Sequence, residues 1–134
     1  MFEVKAIVTF SAAHYLKKYK GKCESLHGHN WRVEAKVSSK KLDYRGMVID
    51  FKDLKSLLRE ITSELDHKLL NDIPYFSKQN TTSELIARYI FRELSAKLRK
   101  FLGAKKSKTV RLEEIAVWEQ DNSCAVYRDT DDCR

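Results

Sequence analysis

The chain has 134 residues, 43% hydrophobic and 34% charged, a balance that suits one globular domain over residues 1–134 and excludes a low-complexity chain. A formal charge of +7 leaves nucleic acid, an anionic surface or a phosphorylated small molecule as partner classes. Glu3 and Lys5 inside the first apolar run make that segment neither a signal peptide nor a membrane span, and the cysteines (Cys23, Cys124 and Cys133) lack the even, paired spacing of a disulfide framework, so a reduced cytoplasm is expected.

From Phe2 to His14 apolar and polar residues alternate. Phe2, Val4, Ala6, Val8, Phe10, Ala12 and His14 share one face, which predicts a half-buried strand. A lysine-rich loop, residues 15–26, follows and contains Cys23; a connection of that length is often functional. A second alternation over His27–Ser38 puts His27, His29, Trp31, Val33, Ala35 and Val37 on the apolar face. A short strand-like piece is expected at Met47–Ile49, with Asp50 as the N-cap of a helix carrying Phe51, Leu54, Leu57, Leu58, Ile61 and Leu65 at helical spacing. Pro74 falls in the next connection. Thr81-Thr82-Ser83-Glu84 has the form of a capping box opening a second helix, with Leu85, Ile86, Tyr89, Ile90, Leu94 and Leu98 on its apolar side and Gly103 as its stop. A basic connector (Lys105, Lys106, Lys108) leads to strands near Thr109–Glu119 and Cys124–Arg128, joined at Asp121-Asn122-Ser123. The order is strand, strand, helix, helix, strand, strand.

The three histidines share a parity. In a hairpin, the end of the first strand lies beside the start of the second, so His14, His27 and His29 converge at one end of the buried face. Each imidazole there needs a partner for its polar nitrogens. Hydrogen bonds within the core would serve. A divalent metal serves all three at once, and three histidines with an open position is the catalytic zinc arrangement. Cys23 as a fourth ligand would instead close a structural zinc site.

The stretches FSAAH (10–14), CESLHGH (23–29), MVIDF (47–51), LDHKLLND (65–72), TTSE (81–84) and VWE (117–119) together resemble the 6-pyruvoyltetrahydropterin synthase family, which includes 6-carboxytetrahydropterin synthase of queuosine biosynthesis. The resemblance implies an α+β tunnelling fold: an antiparallel four-stranded sheet with two helices on one face, assembled into trimeric barrels and commonly hexamers, with active sites between subunits. It also implies that His14, His27 and His29 hold Zn2+ against the side-chain hydroxyls of a dihydropterin. Cys23 matches the family's catalytic cysteine and Asp66 with His67 its acid–base pair; read from position alone, those two are helix-end polar residues. Glu119, on the parity of Ile115 and Val117, matches the carboxylate that anchors the pterin ring, whose N3–H and 2-amino group offer two parallel donors. Thr82 and Ser83 are candidates for the pterin edge, although capping alone accounts for them. Lys17, Lys18, Lys20 and Lys22 either steer a triphosphate or form a solvated loop.

Glu24 directly follows Cys23, so the chain satisfies both CxxxHGH, resembling the queuosine-pathway type, and ExxHGH, resembling a folate-pathway type in which glutamate replaces the cysteine. The leading expectation is a cytoplasmic homohexameric lyase that converts 7,8-dihydroneopterin triphosphate to 6-carboxytetrahydropterin. Formation of 6-hydroxymethyl-7,8-dihydropterin or of 6-pyruvoyltetrahydropterin are the alternatives within the family. From another class, a non-catalytic basic zinc module for nucleic acid would need aromatics interleaved with its lysines or a recognition helix, and the sequence displays neither.

Overall fold

The computed structural model describes residues 1–21 and 24–130. Strict alternation produces two long strands, β1 (Phe2–His14) and β2 (His27–Ser39), paired antiparallel in continuous register from Phe2 opposite Ser39 to His14 opposite His27. β3 (Val110–Gln120) pairs with β2, and β4 (Ser123–Tyr127) with β3, giving one antiparallel sheet in the order β1-β2-β3-β4. Two irregularities in the β3 ladder matter. One falls where Lys36 pairs with Glu114 but Val37 pairs with Leu112, which reverses the parity so that Leu112 and Ile115 both face the core. The other lies between Trp118 and Gln120, at Glu119.

The apolar face of the sheet is covered by α1 (Phe51–Thr62) and α2 (Ser83–Lys106). Leu54, Leu58, Ile61, Ile86, Ile90 and Leu94 meet Val33, Ala35, Val37, Ile115 and Val117 in a core from which water is excluded. A buried side chain of the Leu or Ile class contributes roughly 1.5–3 kcal/mol there. The arrangement is the α+β sheet with two helices on one face that the strand and helix periods predict. The opposite face is polar and laced with ion pairs: Lys5–Glu34 at 3.3 Å, Lys36–Glu114 at 3.1 Å, and Arg128 with Glu114.

Three local expectations change. Met47–Ile49 forms no strand; Val48 and Ile49 are buried by a turn in which Asp43 caps the backbone N–H groups of Arg45 and Met47. The first helix ends at Thr62 and Leu65 enters the core from the following turns, held by Leu65 N–H to Thr62 O at 3.0 Å. The capping box is displaced by one residue. Thr82, not Thr81, caps α2, its hydroxyl accepting from the Leu85 N–H at 3.2 Å. Gly103 interrupts the helix as predicted, with φ of 79°, a conformation that costs any residue bearing a Cβ. Among the described residues, no helix is long and apolar enough to cross a membrane.

Candidate metal centre

His14 is the last residue of β1 and lies directly opposite His27, the first of β2, while His29 faces Ala12 one pair further in. The even parity of β1 and the odd parity of β2 send all three rings to the helix-covered side of the sheet. The floor beneath them is Trp31, fully buried, whose ring stands edge-on to His14 and His29 at centroid distances of 5.0 and 5.2 Å. Its indole N–H donates to the Ala12 carbonyl at 3.2 Å, so this apolar floor leaves no orphaned donor.

The tautomers follow from the partners. His14 Nδ1 lies 2.9 Å from the Thr81 carbonyl, and His27 Nδ1 lies 2.7 Å from the Ser25 carbonyl. A carbonyl only accepts, so both Nδ1 atoms carry the hydrogen and both Nε2 atoms present bare lone pairs. Those two Nε2 atoms face each other at 3.1 Å. A proton shared between them is opposed at His14, where burial above all holds the imidazole below its ordinary pKa and favours the neutral ring. Two lone pairs at that distance need a cation between or beside them.

Glu119 completes the group. Its Oε1 lies 2.6 Å from His29 Nε2 and 3.7 Å from His14 Nε2, and the four ligand atoms all fall within 4.8 Å of one another. Despite the short separation, His29 Nε2 is buried without a hydrogen bond of proper direction. Donors about 2.0–2.1 Å from one tetrahedral ion sit about 3.3 Å apart, close to the spacings seen here. The donor set therefore fits a divalent cation, and three imidazoles with a carboxylate suit zinc among other transition metals.

Several residues that position this centre are invisible to periodicity. Thr81, displaced from its capping role, is fully buried and uses its carbonyl to orient His14 and its hydroxyl to bind the Tyr15 carbonyl at 3.1 Å. Asn71 accepts from the Tyr15 N–H at 3.0 Å and donates to the Tyr15 carbonyl at 2.9 Å. Asn80 does the same to Lys17, at 2.9 and 3.0 Å. The two amides act as substitute strand partners for the chain leaving β1, and fasten the start of the loop beside the metal ligands. Only the amide–backbone geometry identifies them.

Of the other sequence candidates, Thr82 and Ser83 begin α2 immediately after Thr81, so the helix N-terminus opens next to His14. Glu24 approaches His27 from the loop side, its Oε1 3.5 Å from Nδ1. Cys23 and Lys22 lie outside the described residues. Lys17 is committed elsewhere, its amine donating to the carbonyls of Phe76 and Ser77 at 3.3 and 3.1 Å, while Lys18 and Lys20 occupy left-handed backbone positions in the turn.

Asp66 and His67 are brought together beside β1, where His67 lines the same surface cavity as His29. They run along the edge of β1 that β2 does not use: His67 N–H donates to Ser11 O at 2.6 Å, and Ala13 N–H to Lys68 O at 3.0 Å. Asp66 accepts from the Ser11 N–H at 2.8 Å and from His67 Nδ1 at 2.9 Å. The Ser11 N–H first, and His67 next, hold the Asp66 carboxyl below its ordinary pKa. His67 has a φ of 58°, sparsely populated for a side chain of this size, and its ring stands out in solvent.

Comparison with known proteins accounts for this combination of sheet and helices. A family model described as 6-pyruvoyl tetrahydropterin synthase matches residues 3–130. A putative 6-carboxy-5,6,7,8-tetrahydropterin synthase of Archaeoglobus fulgidus is 44% identical over 89 residues, covering 66% of this chain and 72% of the relative. The human 6-pyruvoyl tetrahydrobiopterin synthase is 34% identical over 140 residues, covering 94% and 90%. Among solved structures, the Caenorhabditis elegans 6-pyruvoyl tetrahydropterin synthase superposes with a TM-score of 0.77 at 23% identity, covering 96% of both chains. A Plasmodium vivax 6-pyruvoyltetrahydropterin synthase, in a variant replacing a catalytic glutamate by alanine, gives 0.76 at 22%, covering 96% of this chain and 99% of that one. With nearly every described residue inside the matched span, and the same sheet and helices on both sides of the comparison, the chain belongs to the 6-pyruvoyl tetrahydropterin synthase family.

Proposed function

We propose that this protein is a zinc-dependent lyase that converts 7,8-dihydroneopterin triphosphate and one water to 6-carboxy-5,6,7,8-tetrahydropterin, releasing acetaldehyde and triphosphate. The observation that carries the proposal is the facing of the His14 and His27 lone pairs at 3.1 Å, with His29 and Glu119 closing the same space. The names borne by the Archaeoglobus fulgidus relative, and by the Haemophilus influenzae 6-carboxy-5,6,7,8-tetrahydropterin synthase at 29% identity over 151 residues, support the product.

Zinc held by His14, His27 and His29 would supply a Lewis acid to the hydroxyls of the substrate side chain. The chain's own groups do the rest. Glu119 accepts the two parallel donors of the pterin ring, with Thr82 and Ser83 along its edge. Cys23 as thiolate removes a side-chain proton, and the Asp66–His67 pair returns a proton from a neighbouring subunit. That assignment suits the exposure of His67 on the outer edge of β1. The edge of β4 and the part of the β1 edge before Ser11, with Phe2, Ile7 and Val126 exposed along these strands, support assembly into the barrels and hexamers expected of such a sheet.

A second reading is favoured by Glu24. Its side chain lies beside His27, 3.5 Å from Nδ1, and the Plasmodium vivax relative has a catalytic glutamate. On this reading Glu24 takes over the proton transfer of Cys23, and the product is 6-hydroxymethyl-7,8-dihydropterin. The test offers zinc-loaded protein both dihydroneopterin and its triphosphate and identifies products by mass spectrometry. Cys23→Ala abolishes the carboxylated product and Glu24→Ala the hydroxymethyl product. Equal loss of both in both variants defeats the division, and no turnover of either substrate sinks the enzyme reading in favour of a binding module.

A further inference from the structure

The sheet face that the helices leave uncovered holds its cations in pairs with acids. Lys5 reaches Glu34 at 3.3 Å, Lys36 reaches Glu114 at 3.1 Å, and Arg128 meets the same Glu114. Arg32 shares that face, since it has the parity of Glu34 and Lys36 on β2. Among the described residues, however, no carboxylate pairs with it, and its Nε makes no hydrogen bond. The polar side chains before and after it on this face are committed elsewhere: Asn30 accepts from the Ser11 hydroxyl at 2.7 Å, and Glu34 is held by Lys5. The guanidinium lies instead on Trp118, its direct cross-strand partner, with Cζ 4.3 Å from the ring centroid. That separation is well inside the range of a cation–π contact.

Both members of this pair lack an acceptor. Arg32 Nε and Trp118 Nε1 are buried without a hydrogen bond, whereas the indole N–H of Trp31 donates to the Ala12 carbonyl. Buried N–H groups in folded proteins are almost always paired, so two orphans in one cross-strand pair call for an acceptor from outside the chain. The stack adds to the charge. A free arginine loses rotamer freedom when it binds, and one already laid on an indole has lost much of it beforehand. Its planar fork matches two oxygens of one anion. Thr9 on β1 and Cys124 on β4 complete the row across the sheet, opposite Arg32 and Trp118, so no acid in the row repels an anion. We infer that Arg32, held flat by Trp118, is a receptor for an oxyanion, a phosphate or carboxylate group whose oxygens supply the acceptors that this pair lacks. The receptor is on the opposite face of the sheet from His14, His27 and His29, so it is separate from the metal centre and independent of the proposed reaction.

The indole N–H signals in a proton–nitrogen correlation spectrum of the native protein test this without any variant. The chain has two tryptophans, and Trp31, fully buried and hydrogen-bonded, serves as the internal control. Inorganic phosphate is expected to shift the Trp118 signal saturably and to leave that of Trp31 in place. Sodium chloride at matched ionic strength is expected to give no saturable shift. A parallel titration with acetate separates the two sources of the oxyanion, and saturation with either one supports the receptor. Arg32→Gln, which removes the charge and the fork, is expected to weaken binding at least about tenfold. Absence of a saturable shift with both anions overturns the inference, as does an equal shift with chloride or native affinity in Arg32→Gln. A Trp118 signal that moves with protein concentration and not with anion gives the missing acceptor to a second copy of the chain, and overturns the receptor as well.

Discussion

His14 Nε2 and His27 Nε2 stand 3.1 Å apart with both rings anchored from behind, one by the Thr81 carbonyl and the other by the Ser25 carbonyl. The anchoring forces the lone pairs toward each other, so the metal-free centre is electrostatically unfavourable and metal binding relieves it. Chelation is expected to lower Tm and zinc to restore it. At a free zinc concentration of 100 times Kd the gain is about 2.7 kcal/mol. His14→Ala is expected to reduce bound zinc, measured by atomic absorption, to a small fraction per chain. Full zinc occupancy in that variant would remove His14 from the ligand set.

Trp31 supplies the floor. Trp31→Phe preserves much of its apolar bulk but removes the indole N–H, leaving the Ala12 carbonyl without that partner beneath the histidines. An unsatisfied buried acceptor costs about 1–3 kcal/mol. The Ala12 carbonyl keeps its place in the ladder with His29, so urea denaturation is expected to show only the lower part of that range, together with weaker zinc binding as the floor under the rings of His14 and His29 loosens. Unchanged zinc affinity would mean that the carbonyl anchors suffice to orient the rings.

Asn71 and Asn80 hold the chain that leaves β1. In Asn80→Ala the backbone groups of Lys17 lose both amide partners. Amide hydrogen exchange at Lys17 is expected to accelerate by an order of magnitude or more, as about 1.4 kcal/mol of local protection per tenfold requires, while the strand amides of Val33 and Ala35 stay protected. Uniform acceleration across the sheet would show the clamp to be part of the global fold instead.

The acid limb of stability is expected to depend on Asp66. The Ser11 N–H and His67 lower its folded pKa below the ordinary 3.8, so the unfolded chain binds the proton more readily. Stability from this group is complete above pH 3.8 and is lost as pH falls from there through the lowered folded value. Asp66→Asn is expected to flatten the pH dependence of Tm in that acid window, with little change in slope near neutrality. An unaltered acid slope would place the titration in other carboxylates, of which Asp43, bound by Arg45, Met47 and Lys106, is the foremost.

Much of this protein is written in its periods. Alternation placed β1 and β2 and their buried faces, because a strand side chain has only two directions and the apolar set chooses one. The same parity put His14, His27 and His29 on one face, and the structure brings those three together. Asp50 and Gly103 marked helix boundaries through chemistry local to a few residues.

Tertiary structure alone decided how the centre is held. Thr81 reads as a cap from TTSE, yet the cap moved to Thr82 because the Thr81 carbonyl and hydroxyl have partners in His14, the last residue of β1, and Tyr15 just beyond it, 67 and 66 positions earlier in the chain. Asn71 and Asn80 read as loop residues, and become strand substitutes only when the connection between the helices folds back along the end of β1. Parity put Glu119 on the face of Ile115 and Val117, but its contact with His29 exists only once β3 has paired beside β2. Local propensity is a property of a few neighbouring residues and can be read from them. A hydrogen bond between residues far apart in sequence exists only after the core has fixed where the strands and helices lie, so the ligands were legible and their supports were not.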